Sequence, residues 1–206
     1  LSDSFSELVL VAGAVLLGIP IPITAAQILW INIVSDGFPL MALTQEPGER
    51  DVMRQKPRPK SEPVLNKDMK LMIFLVGMIT DVGMFVLYLL LLQGSETLTA
   101  HLQTIMFSAL ALDSLMSVFA IRSFRTTIFR VNPFRNSWLL AAVGAGVVIQ
   151  VAVVYAPPLQ ALFGTVGLNG LDWVLISALA VIKLIGIELA KDLLIYRRHR
   201  HRVYAP

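Results

Sequence analysis

Six apolar stretches recur along the chain, each close to the length needed to cross a hydrocarbon core about 30 Å thick. They run from Ser2 to Leu17, Ala25 to Leu43, Leu71 to Leu92, Leu102 to Ala120, Ser137 to Tyr155 and Leu171 to Leu194. In lipid every backbone N–H and C=O must be paired internally, and single runs of this length pair them as helices. The reading is an all-α, polytopic membrane bundle of six transmembrane helices filling residues 1–206 as one domain. With 56% hydrophobic and 15% charged residues and a mean hydropathy of +0.72, the chain lies outside the range of soluble domains.

Charge sets the expected topology, because Lys and Arg gather in short cytoplasmic loops. The loop 44–70 holds seven of the seventeen basic residues, the loop 121–136 holds four, and five more fall at the carboxyl end, Lys191 just before the tail 195–206 and four within it. The intervening turns 18–24, 93–101 and 156–170 hold none. Both termini are expected in the cytoplasm, in the plasma membrane if the source is bacterial. The basic excess then serves topology and anionic lipid, and no nucleic-acid partner is expected. The start, Leu1-Ser2-Asp3-Ser4-Phe5-Ser6-Glu7, has no initiating Met and no basic signal-peptide region, so the chain reads as cut from something longer.

Polar residues inside the spans are the informative ones. A charged side chain at the bilayer centre costs at least about 2.5–3.5 kcal/mol, so such groups face a cavity or a partner and mark ion paths. Glu7, Asn32, Ser35, Asp36, Asp81, Asp113 and Lys183 qualify. Asn32, Ser35 and Asp36 stand at i, i+3 and i+4, on one helical face, and Ser4 and Glu7 share a face of the preceding span. The turn Gly18-Ile19-Pro20-Ile21-Pro22 makes the two spans neighbours. The second helix is expected to be broken near Asp36-Gly37-Pro39, since proline removes a donor and glycine loosens the turn. Irregular backbone at membrane depth lines cavities, and transporters use it to hold ions. The donors are all oxygens and the chain has no cysteine, which points to a hard cation; calcium, manganese, sodium and protons all fit.

The run from Pro20 through Gln27, Trp30, Asn32, Ser35 and Asp36 to Pro39 closely resembles the fifth-to-sixth transmembrane hairpin of calcium-type P-type ATPases. The loop from Glu46-Pro47 to Arg54-Gln55-Lys56-Pro57-Arg58-Pro59 resembles that family's next cytoplasmic loop, and the later spans match its seventh to tenth helices in order and spacing. The resemblance implies that Asn32 and Asp36, with a glutamate from a fourth helix absent here, form the ion site common to these pumps. It also implies that Glu7, Ser35, Asp36 and Asp113, with Ser4, sit where two-site pumps hold a second calcium. Ser4 stands where an asparagine is usual, Ser35 where a threonine is, and Asp113 where a longer glutamate is, which weakens that second site. The implied cargo is calcium, with manganese next. ATP and Mg2+ would act only through domains absent from this chain, which has no Asp-Lys-Thr-Gly-Thr motif and so no catalysis of its own. Expected partners are the lipid bilayer, and the amino-terminal helices and cytoplasmic domains of the same pump.

The remaining polar groups read more plainly. Asp81, between Gly77 and Gly83, is expected to pack helices through a hydrogen bond. Lys183 is expected to pair with Glu188 or to snorkel, Gln150 to bond between helices, and His101 to be solvated in an outer loop. Two other functions stay open on the residues: a stand-alone six-helix scaffold or regulator derived from such a pump, and a secondary transporter.

Overall fold

The computed structural model describes residues 2–46, 70, 78–93, 100–122 and 135–191, with side chains from Ser6 in the first helix and from Asp81 in the third. The described residues form helices α1 (Ser2–Leu17), α2 (Ala25–Leu43), α3 (Met78–Gln93), α4 (Ala100–Ile121), α5 (Ser137–Tyr155), α6 (Pro157–Phe163) and α7 (Gly170–Lys191), with no strand among them. Four of these, α2, α4, α5 and α7, are long and apolar enough to span a bilayer by themselves. Residues 71–77, most of the expected loops 44–70 and 121–136, and the tail 195–206 lie outside the described residues. The short α6, between the last two spans, was not expected; its Pro157 start and the left-handed Gly164 (φ 66°) at its end are ordinary helix punctuation.

Local chemistry explains how α1 turns into α2. Gly18 takes φ 65°, its N–H donates to Val15 O at 3.2 Å, and the Ile19 N–H donates to Ala14 O at 3.0 Å, which together cap the last turn of α1. The Tyr88 hydroxyl donates to Pro20 O and pins the turn to α3. Thr24 and Gln27 then form a reciprocal capping box, 3.3 and 2.9 Å, and the Gln27 amide also donates to Phe163 O at 3.0 Å.

The break expected in α2 takes the form of a widened turn. Residues Ala25–Trp30 and Phe38–Leu43 are α-helical, and Ile31–Gly37 between them is a π-segment. Gly37 (φ −61°, ψ −53°) and Phe38 (φ −65°, ψ −46°) keep helical dihedrals, so the chain stays helical across the expected break. Pro39 has no N–H for a carbonyl four residues back, and shifting to a wider ring relieves the clash without unwinding the span.

Helix α4 is the centre of the bundle, with Met106, Phe107, Ala111 and Leu115 fully buried. It packs mainly on α7 and also on the π-segment, while α1 packs on α3 and the end of α2 on α5. Gly13 and Gly146 permit close approach: a Cβ at Gly13 would lie 2.7 Å from the Phe85 ring, and one at Gly146 would lie 2.7 Å from Leu115 Cδ2. Gly83, expected to play this part beside Asp81, has open space around it. The outer surface is apolar, with Leu16 at 85% and Leu171 at 81% exposure. Lipid is the matching solvent for such a face, and the chain is an integral membrane protein.

At one rim a polar clasp ties three spans. The Arg122 guanidinium donates to Glu46 from Nη2 (2.8 Å) and Nε (3.1 Å), and the Asn136 amide donates to Glu46 Oε2 (2.9 Å) and Ala42 O (3.2 Å). Burial pushes the Glu46 carboxyl up, but hydrogen bonds from Arg122 and Asn136 and the charges of Arg122 and Arg135 outweigh it and hold it below the ordinary value.

Candidate functional site

The polar residues of α1 and α2 meet at the π-segment. Glu7, on α1, is 8% exposed, and the Asn32 amide donates to both its oxygens, at 3.2 Å to Oε1 and 3.0 Å to Oε2. The same amide nitrogen donates to Ile28 O at 2.9 Å. One turn on, Asp36 accepts a hydrogen bond from the Ser114 hydroxyl of α4. Ser35 is 1% exposed, and its hydroxyl has no hydrogen-bond partner among the described residues. A buried hydroxyl left unpaired costs about 1–3 kcal/mol.

Sequence spacing put Asn32, Ser35 and Asp36 on one face. The wider π turn fans them instead, Asn32 toward α1 and Asp36 toward α4, so that two neighbouring helices are engaged from one segment. Asn32 is exposed and Asp36 half-buried.

A cavity of about 10 Å³ lies between α1, the π-segment and α4, lined by Ser6, Glu7, Ile31, Leu110, Asp113 and Ser114. Its size suits about one water or one bare ion. Among the described residues, no three His, Asp or Glu side chains gather closely enough to hold a metal by themselves. Ser4 belongs to α1, and its side chain lies outside the described residues. Asp113 is present at this cavity, but its Oδ2 accepts from the Lys183 ammonium of α7.

Ser114 and the Lys183 pairing were missed by sequence reasoning. Ser114 adjoins Asp113 in the most buried span, where a hydroxyl beside a carboxylate is a usable signal. Where Lys183 was expected to pair with Glu188 or to snorkel, it donates to Asp113, and Glu188 accepts from Lys191 at 2.7 Å, one turn on. Lys191 also donates to Ala120 O. His101 is not simply solvated: it stands in α4 with Nε2 2.8 Å from Asp172 Oδ2. Asp81 accepts from the Ser6 hydroxyl, tying α1 to α3, and Gln150 accepts from Trp30 Nε1 at 3.0 Å and donates to Ser108 at 3.4 Å.

Comparison with known proteins covers most of the chain. The family described as "Cation transporting ATPase, C-terminus" matches residues 20–193. A "Calcium-transporting ATPase" of Bacillus subtilis is 35% identical over 182 residues, covering 88% of this chain and 20% of the relative. A "Calcium-transporting ATPase type 2C member 2" of Mus musculus is 34% identical over 191 residues, 93% and 20% respectively. A "Calcium-transporting ATPase 1" of Yarrowia lipolytica is 35% identical over 172 residues, 84% and 18%. The chain thus spans about a fifth of the length of these relatives.

Proposed function

We propose, from the premise that this chain belongs to the cation-transporting ATPases as their carboxyl-terminal membrane region, that it supplies part of the ion site of an ATP-driven pump. Glu7, Asn32, Ser35 and Asp36 are the ligands it contributes. The observation that carries this reading is the contact of the Glu7 carboxylate with the Asn32 amide beside the π-segment, with the orphaned Ser35 hydroxyl and Asp36 one turn away. Every donor is an oxygen or can present one, as a hard cation requires. In the state described, Asn32 turns its N–H to Glu7; a cation entering there takes the carboxylate, and the amide rotates to offer its oxygen.

Calcium is the proposed cargo, supported by the oxygen-only donor set and by the calcium named in the relatives, with manganese the next choice. The exposed side of Asn32 and Asp36 is where upstream helices of the same pump close the site. ATP and Mg2+ act through cytoplasmic domains beyond this sequence, and their phosphorylation cycle shifts the membrane part between two states open to opposite sides. Both ends of this region face the cytoplasm, in the plasma membrane for a bacterial source.

The test is phosphoenzyme formation from ATP by the intact protein, with and without added cation. Asp36→Asn and Asn32→Ala should insert normally and lose ion-stimulated phosphoenzyme. Wild-type levels in both would overturn the assignment.

A further inference from the structure

Lys183 is the one basic residue set inside a span away from any loop, and it does not snorkel: its side chain is 10% exposed and that of its partner Asp113 is 6%. Behind the pair lies a cavity of about 270 Å³ bounded by Ser6, Asp81, Leu110, Asp113 and Lys183. Asp113 and Ser6 border both this cavity and the small one beside Glu7. Two buried carboxylates, Asp81 at 2% and Asp113 at 5% exposure, therefore border one cavity, and Asp113 also borders the one beside Glu7.

We propose that Lys183 is a resident counter-cation, which offsets Asp113 in the cavity it shares with Asp81 and keeps a second transported ion from settling beside Glu7. Carboxylates at this depth are tolerated only when paired, and an empty acidic cavity of this size would attract a dication. An ammonium on a four-carbon stem is a compact point charge, and being tethered it is present at high effective concentration whatever the cytoplasmic ion level. Ser6 adds to the effect by donating to Asp81, so both carboxylates are engaged from within the chain. One exchangeable site remains, at Glu7, Asn32, Ser35 and Asp36. The inference deepens the pump reading and rests on it, but the pair itself can be examined separately.

The experiment measures equilibrium binding of 45Ca2+ per phosphorylatable molecule, and thermal unfolding in detergent, for the full-length protein. The wild type should bind one ion, and the neutral double variant Lys183→Met/Asp113→Asn should also bind one. Lys183→Met alone, which strands a buried carboxylate, should melt below both and take up a second ion. Two ions on the wild type, a single ion on Lys183→Met, loss of an ion in the double variant, or a double variant melting below Lys183→Met would each overturn the proposal. Failure of the primary site reads differently: Asp36→Asn would then keep the wild-type count. A wild type that binds no 45Ca2+ would count against calcium as cargo, and the melting comparison would then decide on the pair.

Discussion

The Asn32 amide of α2 grips the Glu7 carboxylate of α1 by both oxygens, at 3.2 and 3.0 Å, across the hairpin that Gly18 closes. Neither residue reaches the other by sequence spacing alone; the capped turn and the π-segment bring them together.

The grip makes Asn32 more than a passive neighbour. Asn32→Asp would set a second carboxylate against Glu7, and like charges this close cannot both ionise cheaply. The variant should take up a proton at neutral pH, so cation-stimulated phosphoenzyme should show a new pH dependence that wild type lacks. A pH profile of phosphoenzyme in the intact protein checks this.

Close packing gives a prediction free of any functional assumption. A Cβ at Gly13 meets the Phe85 ring at 2.7, 2.9 and 3.2 Å, whereas one at Gly146 meets mainly the tip of Leu115. A ring must move as a body, while a leucine tip can change rotamer. Gly13→Ala should therefore cost about 1–3 kcal/mol and Gly146→Ala less, as read by unfolding in detergent.

Much of this fold is legible in sequence, for reasons visible in particular residues. Hydropathy alone locates the helices beginning at Ala25 and Ser137, and Gly18 before two prolines marks the turn, because each depends on local chemistry. Glu7, Asn32 and Asp36 stand out as polar groups in apolar runs. What spacing cannot convey is pairing across the chain. Lys183 finds Asp113, 70 residues away, and Asp36 finds Ser114, 78 residues away. The π-segment is likewise hidden, since Gly37 and Pro39 signal a disturbed helix without saying whether it unwinds or widens.

The rim clasp predicts an acid sensitivity. The folded Glu46 carboxyl lies below the ordinary 4.5, so its contribution is fully present above that value and is lost as pH falls through the lower folded value. Glu46→Gln should melt below wild type at neutral pH by a constant margin, and the margin should close below pH 4.5. Melting curves of both proteins across that range provide the check.

Gln150 joins α2 to α4 from α5 by accepting from Trp30 and donating to Ser108. Gln150→Leu keeps the volume but strands the indole N–H, and should destabilise by about 0.6–2 kcal/mol without changing cation selectivity. Thermal unfolding beside a cation-competition assay separates the two effects.

ATP-driven 45Ca2+ uptake into inside-out membrane vesicles carrying the full-length protein tests most directly the proposal that Glu7 and Asp36 hold the transported ion. Uptake should be present in wild type and in Glu46→Gln, and absent in Glu7→Gln and Asp36→Asn at equal expression. Wild-type uptake in either of the last two would contradict the account.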